Sequence, residues 1–300
     1  LLPYLLYIDD FEINNPLGSH SSKHSICNVY YSFPCLPVEE SKLENVFHCA
    51  VIKSTDVKTF GNEKCFQTLI QELIDLELNG LDITIKSGST LRVHFILGLV
   101  VGDNLGLNCF LNFNKSFSAN FFCRLCRMNK KDSQKSITED KEMIRTIDNY
   151  HSDLAHESEK RGILGNSLLN EIPSFHVVHN FYADIMHDLF EGVCHYSLCH
   201  AINYFIKMKY FKLEFLNARK GNFEYGPKEI GNISGKIETH HLSNKKFKMS
   251  ARQMITFITY FPLMVGDVIP ADDNVWKFLL NLIEIIDLLL CFETKEDDII

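Results

Sequence analysis

The run Arg92-Val93-His94-Phe95-Ile96-Leu97-Gly98-Leu99-Val100-Val101 is nearly continuous in apolar residues and stops at Gly102-Asp103. A short apolar run without polar alternation, bounded by a turn signal, is the pattern of a buried strand. Such a strand needs neighbours that carry the same pattern, and the chain supplies them upstream. Leu1 to Ile13 is strand-like, with Asp9 and Asp10 near its end. Ser25 to Phe33 and Glu44 to Lys53 are rich in aromatic and branched residues, the composition of further strands. Between these and the buried run, Phe66, Leu69, Ile70, Leu73, Ile74 and Leu76 recur with a helical period over Cys65 to Leu78. A second helix is expected to begin at Asn104. Asn14-Asn15-Pro16-Leu17-Gly18-Ser19 is turn chemistry between the first two strands.

The expected class is therefore α/β. Three antiparallel strands, a helix and a parallel central strand are the opening order of a ribonuclease-H-like domain. In that arrangement the first and fourth strands are neighbours, so Asp9 and Asp103 meet although they are distant in sequence. Asp10 competes with Asp9 for this place. Two carboxylates at adjacent strand ends can bridge a pair of Mg²⁺ (or Mn²⁺) ions, which clamp the attacking and leaving oxygens of a phosphodiester displacement. Each aspartate also has an ordinary use, as a turn residue or a helix N-cap.

From Lys130 to Lys160 the composition turns polar and charged. Asn170 to Met208 is expected to be mostly helical, with Phe181, Ile185, Leu189, Val193 and Tyr196 on one stripe. Gly221 to Ser250 is loop-like. Met254 to Phe292 returns to apolar helices, broken at Pro262 and at Pro270-Ala271-Asp272-Asp273. No apolar stretch reaches the roughly 18–20 residues of a membrane-spanning helix, so no membrane partner is expected. The division expected is residues 1–115 as the first part of the catalytic core and 116–300 as an insertion. The chain opens mid-strand and ends without a closing motif, as a fragment of a longer protein would.

Ten cysteines in a chain of 300 residues with 46% hydrophobic content do not describe a small disulfide scaffold. Reduced thiols in the cytosol or nucleus are expected. Cys123-Arg124-Leu125-Cys126 is the one Cys-x-x-Cys pair, and it can present two thiolates to a tetrahedral Zn²⁺. Its further ligands are expected among histidines: His151, His156, the His176-x-x-His179 pair, or others beyond residue 300. Cys194-His195 and Cys199-His200 recur on poorly matched helical faces and are read as core and surface residues.

Two further groups are candidate nucleic-acid contacts. Asp184 and His187 stand three apart, so a helix would give them one face; the bland alternative is an N-terminal Asp with a satisfied His. Lys245, Lys246 and Lys248 could meet phosphate, or form a solvated loop. A net charge of −8 argues against a wholly basic surface.

Several stretches together resemble a known family. They are Tyr7-Ile8-Asp9-Asp10-Phe11-Glu12 with Asn15-Pro16-Leu17-Gly18-Ser19; Gly102-Asp103-Asn104-Leu105; Phe121-Phe122-Cys123-Arg124-Leu125-Cys126; and Ala183-Asp184-Ile185-Met186-His187-Asp188-Leu189-Phe190-Glu191-Gly192-Val193. In this order they are similar to the CACTA-type DDE DNA transposases, and more distantly to the catalytic subunit of the V(D)J recombinase. The resemblance implies a ribonuclease-H-like (retroviral-integrase-like) core interrupted by a mostly helical, zinc-bearing insertion. It implies a nuclear enzyme acting on transposon ends and target DNA, with a homodimer as one assembly. Asp9 and Asp103 match the first two catalytic acids, Cys123 and Cys126 the knuckle, and Asp184 and His187 the insertion motif. The third acid and the paired histidines of the family are not found before Ile300. Glu284 and Asp287 lack that context. As a fragment, the chain is expected to be inactive alone. The rival expectations are a catalytically dead transposon-derived module and a zinc-stabilised helical scaffold without a DNA role.

Overall fold

The computed structural model describes residues 1–13, 25–37, 42–156 and 161–291. The turn expected at Asn14–Ser19 lies outside the described residues. The chain gathers into two compact units, residues 1–184 and residues 185–300. The fold is mixed α/β.

The first unit is built on a four-stranded sheet. Its strands are β1 (Leu2–Glu12), β2 (Ser25–Ser32), β3 (Phe47–Lys53) and, after a separate hairpin, β6 (Phe95–Val101), in the order β3-β2-β1-β6. β2 is antiparallel to both β1 and β3, whereas β6 is parallel to β1. A parallel neighbour needs a crossover. Helix α1 (Ser54–Leu78) supplies most of it, with Phe66, Ile70 and Leu73 buried at helical spacing. Tyr4, Leu6 and Ile8 of β1, Val29 of β2, and Leu97 and Val100 of β6 belong to the same core.

The structure departs from sequence expectation at two points here. Helix α1 begins at Ser54, well before Cys65, because Gly61 takes a left-handed conformation (φ 80°) and joins two helical stretches across a kink. The apolar run from Arg92 is not one strand. Arg92 and Val93 belong to an exposed hairpin of β4 (Leu81–Thr84) and β5 (Thr90–Val93), and the chain leaves it at His94. The His94 ring is bonded to the Glu77 carbonyl at 2.8 Å, which ties this break to the end of α1.

After β6 come α2 (Asn104–Phe110), the short α3 (Lys130–Ser133) and α4 (Ile147–Ala155). The stretch after residue 172 was expected to be helical, yet helical structure resumes only at residue 185. A π-helical stretch, Met186–Val193, runs directly into α5 (Cys194–Lys207). The second unit adds α6 (Leu213–Asn222), α7 (Thr239–Ser243), α8 (Ala251–Val265) and α9 (Asn274–Leu290). Its core stripe is Phe190, Cys194, Leu198, Ile202 and Phe205, packed with Met254, Phe257, Phe261, Trp276 and Leu279. Of the stripe expected from sequence, Ile185 and Leu189 are partly buried and pack against this core, whereas Phe181, Val193 and Tyr196 are exposed. Both faces of this helix carry apolar residues, so spacing alone did not select the buried one. Cys194, His195 and Cys199 are buried, and His200 is exposed.

Pro262 does not end α8. It lies in the last turn, three residues before Val265, where a lost backbone donor costs little further structure. The break at Pro270–Asp273 is real: Asp273 caps α9 by accepting from the Val275 and Trp276 amides. Among the described residues no helix is long and apolar enough to cross a membrane.

Candidate functional site

The relation of Asp9 to Asp103 is set by the β1–β6 register. At the start of the ladder Leu2, Pro3 and Tyr4 pair with Phe95, Ile96 and Leu97. The register then slips, and Leu5, Leu6 and Tyr7 pair with Leu99, Val100 and Val101. Gly98 is the extra residue, a β-bulge. Its carbonyl accepts a 2.8 Å hydrogen bond from the Asn180 side chain. Carried two residues past the last pair, the shifted register sets Asp103 level with Asp9. Without the bulge, Asp103 would stand level with Asp10. Gly102 holds the approach close, since a Cβ there would sit 2.6 Å from the Ile8 carbonyl oxygen.

The two candidate aspartates on β1 face opposite sides of the sheet. Asp10 is on the side of Ile8 and α1. It accepts from Ser54 Oγ at 3.1 Å and from the Cys27 thiol, which burial and Asp10 together push up to about 12. Asp9 lies on the Tyr7 side and is exposed. Asp103 is the N-cap of α2 and accepts from the Gly106 amide. Asp9, Asp10 and Gly106 line one small cavity of about 30 Å³ with Asn62 and Cys109. Asp103 thus performs the capping duty that sequence offered as the alternative to catalysis. That duty occupies one face of its carboxylate.

The cysteine pair has a more developed setting. The Cys126 thiol bonds to the Cys123 sulfur, so the two sulfurs converge. That bond, with donation from the Leu125 and Cys126 amides and the charge of Arg145, holds Cys123 down to about 6. Cys126 is correspondingly pushed up, and the Met128 amide donates to it. Amides aimed at both sulfurs suit a pair that carries thiolate charge, which is the requirement for binding zinc.

Arg145, absent from sequence reasoning, organises this loop. Its side chain donates to the carbonyls of Arg124, Cys123, Cys126 and Arg161 at 3.0–3.4 Å. Buried Asp153 balances it at 3.4 Å and takes Arg127 in a two-pronged pair at 2.6 and 3.0 Å. Arg145 and Asp153 stand 8 residues apart, a spacing that no periodicity marks. The loop also borders a cavity of about 560 Å³ lined by Cys126, Arg124, Val178 and Phe181, among others.

The expected histidines do not complete the site. His151, His176 and His179 cluster with one another, their ring centroids 5.9 and 6.2 Å apart. His156 bonds to the Ser152 carbonyl. Among the described residues no group of three or more His, Cys, Asp or Glu side chains is arranged to hold a metal ion. The pair presents half of a tetrahedral ligand set.

No family model matches the chain, and no curated protein matches it. The site must therefore be read from its own chemistry.

Asp184 is buried and closes the first unit, while His187 falls in the π-helical stretch that opens the second. The i, i+3 argument assumed an α-helix through both, and that is not the local structure. Each has a bonded or electrostatic partner. Lys245, Lys246 and Lys248 are exposed on a loop anchored by buried Phe247. Lys246 and Lys248 border an open groove of about 1110 Å³ together with Lys236, His240 and Asn244.

Proposed function

We propose that the chain is part of a DDE-type, cut-and-paste DNA transposase or a domesticated descendant of one, built on a ribonuclease-H-like core. The carrying observation is the bulged parallel register, which, extended, sets Asp103, just past the end of β6, level with Asp9 of β1. In this reading Asp9 and Asp103 hold Mg²⁺ or Mn²⁺, and the ions supply the charge that activates water and then the freed 3′-hydroxyl. Asp103 presents one carboxylate face while the other caps α2. Asp10 is the residue that fixes the strand end through Ser54 and Cys27. Cys123 and Cys126 give two sulfur ligands to a structural zinc, completed by residues outside this set. Lys245, Lys246 and Lys248 meet the DNA backbone, the last two beside Lys236 on one groove, and Asp184 and His187 act near the DNA end. Such an enzyme works in the nucleus, and pairing two DNA ends suits a homodimer.

A second reading is supported by the capping role of Asp103 and by the lack of a third gathered acid among the described residues: a transposon-derived module that binds DNA without cutting it. The test is a labelled DNA duplex incubated with the full-length protein and Mn²⁺. Nicking that disappears in Asp9→Asn and Asp103→Asn, and persists in Asp10→Asn, supports the enzyme. Salt-dependent binding with no nicking supports the module, and the absence of both nicking and binding excludes a DNA role.

A further inference from the structure

Near the Leu2 end of β1, remote along the strand from Asp9, a cavity of about 210 Å³ lies between the sheet and α1. It is smaller than the roughly 300–1,000 Å³ of sites for drug-sized ligands. Its occupant is accordingly a small group. Three of its walls are the aromatic rings of Tyr31, Phe33 and Phe95, which brace one another with centroids 5.7 and 6.3 Å apart. Exposed Glu72 marks its mouth.

Of the polar residues that line it, Tyr4 is the buried one. It is 4% exposed, and its hydroxyl has no hydrogen-bond partner among the described residues. Nearly all buried polar groups are paired, so an orphan hydroxyl beside a cavity points to a bonding group that enters it. Cys49, which also lines the cavity, and Glu77 both lie close enough to act on the Tyr4 phenol. The charges that reach this space are thus carboxylates. Among the described residues no Lys, Arg or His lines it.

We infer that this cavity binds the head of a small organic cation, an alkylammonium group carrying at least one N–H. The aromatic walls attract the positive charge through their π faces, as in other sites for substituted ammonium groups. Glu72 adds opposite charge at the entrance. The ammonium N–H donates to the Tyr4 hydroxyl oxygen, which can accept as well as donate. A neutral ligand of the same shape would fill the volume but leave the electrostatic preference unused. An anion would meet two carboxylates.

The test is a chemical-shift titration of the chain with three probes of similar size: trimethylammonium, tetramethylammonium and tert-butanol. Trimethylammonium is expected to bind at least several-fold more tightly than tetramethylammonium, which lacks the N–H. Tert-butanol is expected to bind weakest, with all shifts centred on Tyr4, Phe33 and Phe95. Glu72→Gln, on an exposed side chain, should weaken both cations several-fold and leave tert-butanol unchanged. Tyr4→Phe should abolish the difference between the two cations. Equal binding of the three probes, insensitivity to Glu72→Gln, or no saturable shift with any probe overturns the inference. None of these outcomes depends on the acids at the other end of β1.

Discussion

At the scale of single residues, the account rests on side chains whose partners explain their burial. Arg145 and Asp153 are the clearest pair, with side chains 1% and 3% exposed. Removing one member of a buried ion pair strands the other charge, at a cost of about 3–5 kcal/mol. Asp153→Ala should therefore lower the thermal midpoint by several degrees. It should also weaken zinc binding about 10–100-fold, because Arg145 orients the loop that carries both cysteines. Calorimetry and a zinc competition titration check both effects, and a change in stability without a change in zinc affinity would confine Arg145 to the fold. His195 gives a pH prediction. Burial, with Lys246 adding and Glu191 opposing, lowers its pKa, and its Nδ1 is buried without a partner. The folded state prefers the neutral ring, whereas the unfolded chain takes up a proton near the ordinary value of 6.5. Stability is thus complete above that pH and falls as pH drops below it. Melting curves across this range should show the decline, and His195→Phe, which keeps the ring packing on Phe247, should flatten part of it. His176 and His241 are lowered by burial in the same direction and add to the decline.

At the scale of elements, the β1–β6 pair carries the proposed site. Sequence pattern gave both strands, their adjacency and the two strand-end acids. It could not choose between Asp9 and Asp10, because that choice depends on a one-residue bulge. Gly98 stood out only as a glycine inside an apolar run, and the bulge it allows is stabilised by Asn180, distant in sequence. Gly102 is as consequential. Its missing Cβ lets the two strand ends touch, so Gly102→Ala should force them apart and destabilise the first unit by about 1–3 kcal/mol through overpacking. Denaturant melts check the cost, and a neutral outcome would mean that the Ile8 carbonyl moves freely. The stripe expected after Phe181 holds only at Ile185 and Leu189, for a related reason. Its two apolar faces are equivalent to a periodicity argument, and tertiary packing selects the one through Phe190 and Phe205.

At the scale of the whole molecule, a mixed α/β unit and a helical unit are joined in one chain, and the chemistry concentrates in the first. The local signals that survive translation into structure are those with a short-range physical cause. The Cys-x-x-Cys pair is one, since its own backbone amides point at the sulfurs. The histidines expected to join it needed long-range placement, which spacing does not encode, and among the described residues no metal-holding group forms. In the proposed site Asp9 of β1 and Asp103 after β6 together hold a divalent cation. Electron paramagnetic resonance of Mn²⁺ titrated into the chain measures this directly, with each aspartate replaced in turn by asparagine. The account predicts saturable Mn²⁺ binding that is lost in Asp9→Asn and in Asp103→Asn and retained in Asp10→Asn. Binding that survives both of the first two substitutions, or that depends on Asp10 and not on Asp9, would contradict it.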